Sequence, residues 1–92
     1  MAEETTQRLG ADFPTVRTFV GYRPEVPEGY IEGGYGNAPD MPQFQGVQFD
    51  DGTVVVRWLT AFRSTSVWPD FAEFEAVHGH PDYGTRIEWS DG

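Results

Sequence analysis

Two imidazoles stand one residue apart at His78-Gly79-His80, with Glu75 one helical turn before the first and Asp82 beyond the second. Imidazole and carboxylate are the ligands zinc takes, but a site needs three or four of them converging on one point. Two histidines across a helix end diverge, so the pair reads as a helix terminus. There His78 suits the carbonyl end of the dipole and Gly79 supplies a left-handed cap. Asp50-Asp51-Gly52-Thr53 gathers oxygens around a glycine. A calcium loop would need a distal glutamate between two helices, whereas strand-like residues flank this segment, so a turn is expected. Gly33-Gly34-Tyr35-Gly36 follows no strong strand, opens no helix and has no lysine to meet a phosphate, which argues against a nucleotide site. Ser64, Thr65 and Ser66 lack the Gly-x-Ser-x-Gly elbow of a nucleophile and read as strand and turn hydrogen bonders. No catalytic, metal or cofactor residue is assigned, no cofactor is expected, and the chain is read as a non-enzyme.

Arg57 and Arg63 stand out in a chain with so few cations, lying beside Trp58, Phe62 and Trp68. They suit stacking on rings or a bidentate grip on an acid, with a cross-strand acidic partner the plainer reading. The tryptophans Trp58, Trp68 and Trp89 are expected in the core. Tyr22, Tyr30 and Tyr35 fall in a loop-rich stretch, where such rings give contact area at little entropic cost. These three tyrosines, with Arg57 and Arg63, are the candidate partner-binding residues. A sheet face left uncovered by the helix would be a further binding patch.

The elements that must position these groups differ between the two halves. Five of the seven prolines and the Gly29, Gly33, Gly34, Gly36 series fall within residues 1–45. Proline removes a backbone donor and glycine widens backbone freedom, so neither helix nor long strand persists through 21–43. Only residues 15–20 read as a strand there, in a segment otherwise loop packed on the second half or a mobile arm. In residues 46–92 the pattern sharpens. Gly46-Val47-Gln48-Phe49 alternates, Asp50-Asp51-Gly52 turns, and residues 53–59 form a strand with Val54, Val56 and Trp58 on one face. A shorter strand follows at 63–68. Pro69-Asp70-Phe71 opens a helix capped by Asp70 and Glu73, with Phe71, Phe74 and Val77 as its apolar stripe. Residues 85–89 close the order β-β-β-α-β. The fold class is α+β: a small antiparallel sheet with one helix packed on it, preceded by a Pro/Gly-rich N-terminal segment.

Composition bounds the partners. The 92 residues carry 15 Asp and Glu against six arginines, a net charge of −9. Such a surface repels phosphate and the anionic leaflet, so direct nucleic-acid binding and membrane insertion are not expected. No apolar run approaches the ~20 residues that cross a bilayer. With no cysteine, neither a disulfide nor a Cys-based zinc site holds the fold. The acidic start Met1-Ala2-Glu3-Glu4 lacks an apolar signal segment, and a cytoplasmic location is expected. Arginine in place of every lysine is what GC-rich coding produces.

The series Gly46-Val47-x-Phe49-x-Asp51-Gly52-Thr53-Val54-x-x-Arg57-Trp58, Arg63-Ser64-Thr65-x-x-Trp68, His78-Gly79-His80 and Thr85-Arg86-x-x-Trp89 resembles uncharacterised small acidic proteins of actinobacteria and their bacteriophages. The likeness covers residues 46–91. It implies a source and a small sheet-plus-helix domain rather than a reaction. The expected function is a protein-binding module, a phage accessory protein that binds and modulates a host protein. The alternatives are an acidic DNA mimic that inhibits a nucleic-acid-binding protein, and a small virion assembly component. Oligomeric state is left open.

Overall fold

A computed structural model describes residues 16–91. Five strands form one antiparallel sheet: β1 Arg17–Tyr22, β2 Phe44–Gln48, β3 Val54–Trp58, β4 Thr65–Trp68 and β5 Arg86–Trp89. Helix α1, Phe71–His78, and a 3₁₀ turn, Pro81–Tyr83, connect β4 to β5. The spatial order is β4-β3-β2-β1-β5, so the chain crosses from one edge of the sheet to the other through α1. This is the small α+β sheet-and-helix fold expected from the sequence. Strand β1 falls two residues beyond the expected 15–20 and is hydrogen-bonded between β2 and β5. Residues 1–15 of the expected N-terminal segment 1–45 lie outside the described residues.

Strand β2 starts at Phe44, two residues before the alternation from Gly46 suggested, and ends before Phe49, which is 43% exposed. The reason is a pair of reciprocal contacts with β1. Phe19 lies opposite Gly46 and Gly21 lies opposite Phe44. A Cβ on Gly46 would meet the Phe19 ring, and one on Gly21 the Phe44 ring. Each glycine is therefore the seat of its neighbour's ring, which is why glycine occupies two strand interiors that it would otherwise weaken. These rings, with Val54, Val56 and Phe74, are the buried core, and Trp58, Trp68, Phe71, Ile87 and Trp89 pack around it. Burying each such side chain contributes roughly 1.5–3 kcal/mol.

The β2–β3 turn is a three-residue loop closed by Phe49 N–H to Thr53 O at 2.8 Å, with Gly52 at φ 97°. The Asp51 carboxylate accepts from Thr53 N–H at 2.9 Å, a bond that holds its pKa below the ordinary carboxylate value. Asp70 caps α1 as expected, accepting from Glu73 N–H at 2.8 Å.

Two helix expectations are corrected. Val77 is 55% exposed, and His78 takes its place on the inward stripe beside Phe71 and Phe74. The offset from Phe74 to His78 is four residues, which on a 3.6-residue turn stays nearer the core than Val77 does. Gly79 is right-handed, φ −66°, and the left-handed residue is His80, φ 36°. A Cβ on Gly79 would meet the Glu75 carbonyl, so glycine is needed there for room rather than for handedness.

Candidate functional site: an aromatic cleft around Arg23

Period-two alternation along β1 places Arg23, the residue after its last, on the same side of the sheet as Phe19 and Gly21. Pro24 stops the strand there, and the Arg23 side chain is enclosed, 4% exposed. Its guanidinium donates to the His78 carbonyl at the C-terminal end of α1, where helix carbonyls lack partners. It lies 5.3 Å from the Trp58 ring, 5.5 Å from Tyr83 and 5.6 Å from Phe44. Its Nε is buried with no hydrogen-bond partner. Burial pulls the guanidinium pKa below its ordinary value, opposed by Tyr30, Tyr83 and Asp82.

Around this cation opens a cleft of about 270 Å³ lined by Tyr30, Tyr35, Trp58, Thr60, Phe62, Ser64, His78 and His80. The rings form a chain. Tyr83 and Tyr30 are 5.5 Å apart, Tyr30 and Tyr35 5.8 Å, and Tyr35 and Phe62 5.2 Å. Tyr35 and Phe62 remain 59% and 62% exposed. The loop carrying the tyrosines is held down by Gln43 and the chain's one asparagine. Gln43, 1% exposed, exchanges two hydrogen bonds with the Asn37 backbone. The Asn37 amide in turn donates to the Pro42 and Leu59 carbonyls. So the Pro/Gly-rich stretch is pinned to the end of β3.

Both histidines line this cleft, each held by different neighbours. The His78 ring packs edge-on against Trp58 and Trp68. The His80 ring stacks on Tyr83 at 4.3 Å, with Nδ1 3.6 Å from Asp82. Burial first, then Arg23 and His80, lower the His78 pKa, favouring a neutral imidazole. Among the described residues no three metal-ligating side chains come together. The arrangement can hold an anion on Arg23, stack a flat group on the tyrosines, and accept a proton at His78.

The candidate partner residues are dispersed. Tyr30 and Tyr35 meet in the cleft. Tyr22 sits on the opposite face of the sheet, under the Arg86 guanidinium at 4.7 Å. Arg57 is exposed on that same opposite face and donates to Thr65 Oγ1 at 3.0 Å, so the cross-strand acid expected for it is replaced by a hydroxyl. Arg63 is exposed in the β3–β4 turn. Among the described residues the arginines that do stack on rings are Arg17, Arg23 and Arg86. Arg23, Phe62 and Tyr83 were missed as site residues. The available signal was Tyr22-Arg23-Pro24, a cation set by strand parity on the inner side and then fixed by proline.

A second, larger recess of about 530 Å³ is a shallow trough over the sheet face opposite α1, bordered by Val20, Val47, Val55 and Arg57. Its exposed surface is mostly apolar, with Gln45, Arg57 and Glu88 as polar members.

A family model described as Acb5 phage protein matches residues 44–91. The chain belongs to that family. The match bears out a phage-protein resemblance over the second half of the chain. It opens at the first residue of β2 and takes in β3, β4, α1 and β5. Strand β1 lies outside it although it joins β2 to β5, and so do Arg23, Tyr30 and Tyr35. No curated protein and no solved structure matches the chain. Among the described residues no helix is long and apolar enough to cross a membrane.

Proposed function

We propose that this phage protein works by binding a protein of its host, an actinobacterium, in the host cytoplasm, and that the cleft around Arg23 is where it binds. The supporting observation is the enclosed guanidinium whose Nε has no partner, set beneath exposed rings. An uncompensated buried donor costs roughly 1–3 kcal/mol, more when charged, so folding alone gives little reason to retain it. An acidic side chain of the partner would complete its hydrogen bonding, while Tyr35 and Phe62 supply the apolar contact area of a binding hot spot.

The test is a pull-down from host lysate with the folded protein and two variants, Arg23→Met and Tyr35→Ala/Phe62→Ala. Methionine relieves the unpartnered donor while losing the bond to His78, so thermal stability should change little. Expected is one stoichiometric partner, lost with both variants. A partner retained by both, or no partner with folded bait, overturns the reading.

A second reading is favoured by the His78 imidazole, whose pKa is lowered by burial and then by Arg23 beside it. A perturbed histidine and a cation in one cleft also suit a free small oxyanion, with His78 acting on it as a base. Binding activity that persists in the protein-free filtrate of the lysate would select this reading.

A further inference from the structure

We propose that the trough opposite α1 is covered by a second copy of this chain, packed sheet against sheet. The site is independent of the cleft, which lies on the other side of the sheet. The register puts Val47, Val55 and Val67 side by side on β2, β3 and β4, a continuous aliphatic row facing away from α1. Val67 is two-thirds exposed. The next row reads Glu88, Val20, Gln45, Arg57 across β5, β1, β2 and β3.

Charge complementarity selects the occupant. The chain as a whole carries −9, yet the charged residues of this face are Arg57, Arg86 and Glu88, a near balance. It is a face on which two copies can meet without their acidic surfaces opposing one another. Arg57 and Glu88 lie three strands apart in one row. A two-fold axis in the interface plane, running along the strands between β1 and β2, sets Arg57 of each copy opposite Glu88 of the other and lays Val47 and Val55 over the Thr18 and Ser90 positions of the other copy, with β4 and Val67 outside the contact. Faces of packed sheets lie about 10 Å apart, a gap that an arginine and a glutamate together span. Glu88 already accepts from Arg86 through Oε2 at 3.0 Å, and its other oxygen can take the partner's arginine. Ladder spacing makes the face about 19 Å by 17 Å. The four strands that overlap about this axis cover about 14 Å by 17 Å of each face, less than a standard specific interface, so a weak dimer with a dissociation constant of about 100 µM is expected.

Sedimentation velocity of the full chain over about 1–500 µM tests this, with native amide spectra confirming that each variant is folded. The wild type should shift from monomer to dimer across the range. Val55→Asp, R57E and E88R should each weaken the dimer at least about tenfold, since each charge reversal spoils two symmetric contacts. Mixing R57E with E88R should restore it, because each copy then opposes Glu with Arg at both contacts. A monomer throughout, as when the chain's own residues 1–15 cover the face, overturns the proposal. So does a dimer indifferent to the three variants, or single variants that fail to rescue each other.

Discussion

Adding one methyl group at Gly46 probes the packing that determines where β2 lies. Phe19, opposite in the ladder, is 2% exposed, and its ring occupies the space a Gly46 Cβ would need. The ring cannot easily retreat, with Trp89 at 4.8 Å, Phe71 at 5.4 Å, and Phe44 and Phe74 both at 6.4 Å between centroids. Overpacking a filled core costs about 1–3 kcal/mol. Against it stands a gain of roughly 0.5–1 kcal/mol from removing a strand glycine. Gly46→Ala should therefore lose about 1.25 kcal/mol, which for a chain of this size lowers Tm by about 5–10 °C. Thermal unfolding followed by circular dichroism measures it. Phe19→Leu should shrink the clash, so the double variant should lose less than the sum of the two singles by about 0.5–2 kcal/mol. A Tm at or above wild type for Gly46→Ala, or strict additivity, would refute the reasoning.

Two further outcomes follow from the hydrogen bonds and charges. Asn37→Ala removes a side-chain amide that donates to two carbonyls and unseats the buried Gln43. A loss of about 1–3 kcal/mol in urea unfolding is expected, with faster amide exchange in residues 30–43 and little change at β5. Acidification should also destabilise the fold in two steps. His78 has a folded pKa below its ordinary 6.5, so the unfolded chain binds the proton more readily, and stability, full above pH 6.5, falls as pH drops below it. Asp51 and Asp91, held down by Thr53 and Arg17, add a second loss below their ordinary 3.8. The urea midpoint between pH 7.5 and 5 should fall in the wild type and flatten in His78→Leu; an identical slope in both would assign the effect elsewhere.

Much of the second half was legible because its signals are local. The three-residue turn at Asp50-Asp51-Gly52 needs a positive φ that only Gly52 provides, and Asp70 before Phe71 is a cap whatever packs on the helix. The inward stripe was misjudged at Val77 because two of the three rings that surround His78 come from β3 and β4, which period counting on one helix does not include. The cleft was half visible. Tyr30 and Tyr35 stood out by type, but their meeting with Phe62 and Arg23 depends on Gln43 and Asn37, residues far from Phe62 in the chain.

The sequence by itself determined the elements: alternation, one capped eight-residue helix, a glycine turn, an acidic surface without cysteine or lysine. Those follow from backbone preferences acting within a few residues. Only the tertiary structure decided that β1 lies between β2 and β5, that Gly21 and Gly46 seat the rings opposite them, and that Arg23 lies buried at the floor of the aromatic cleft. Each depends on side chains brought together from distant segments, and the shape of a neighbour is not encoded in the spacing along one strand.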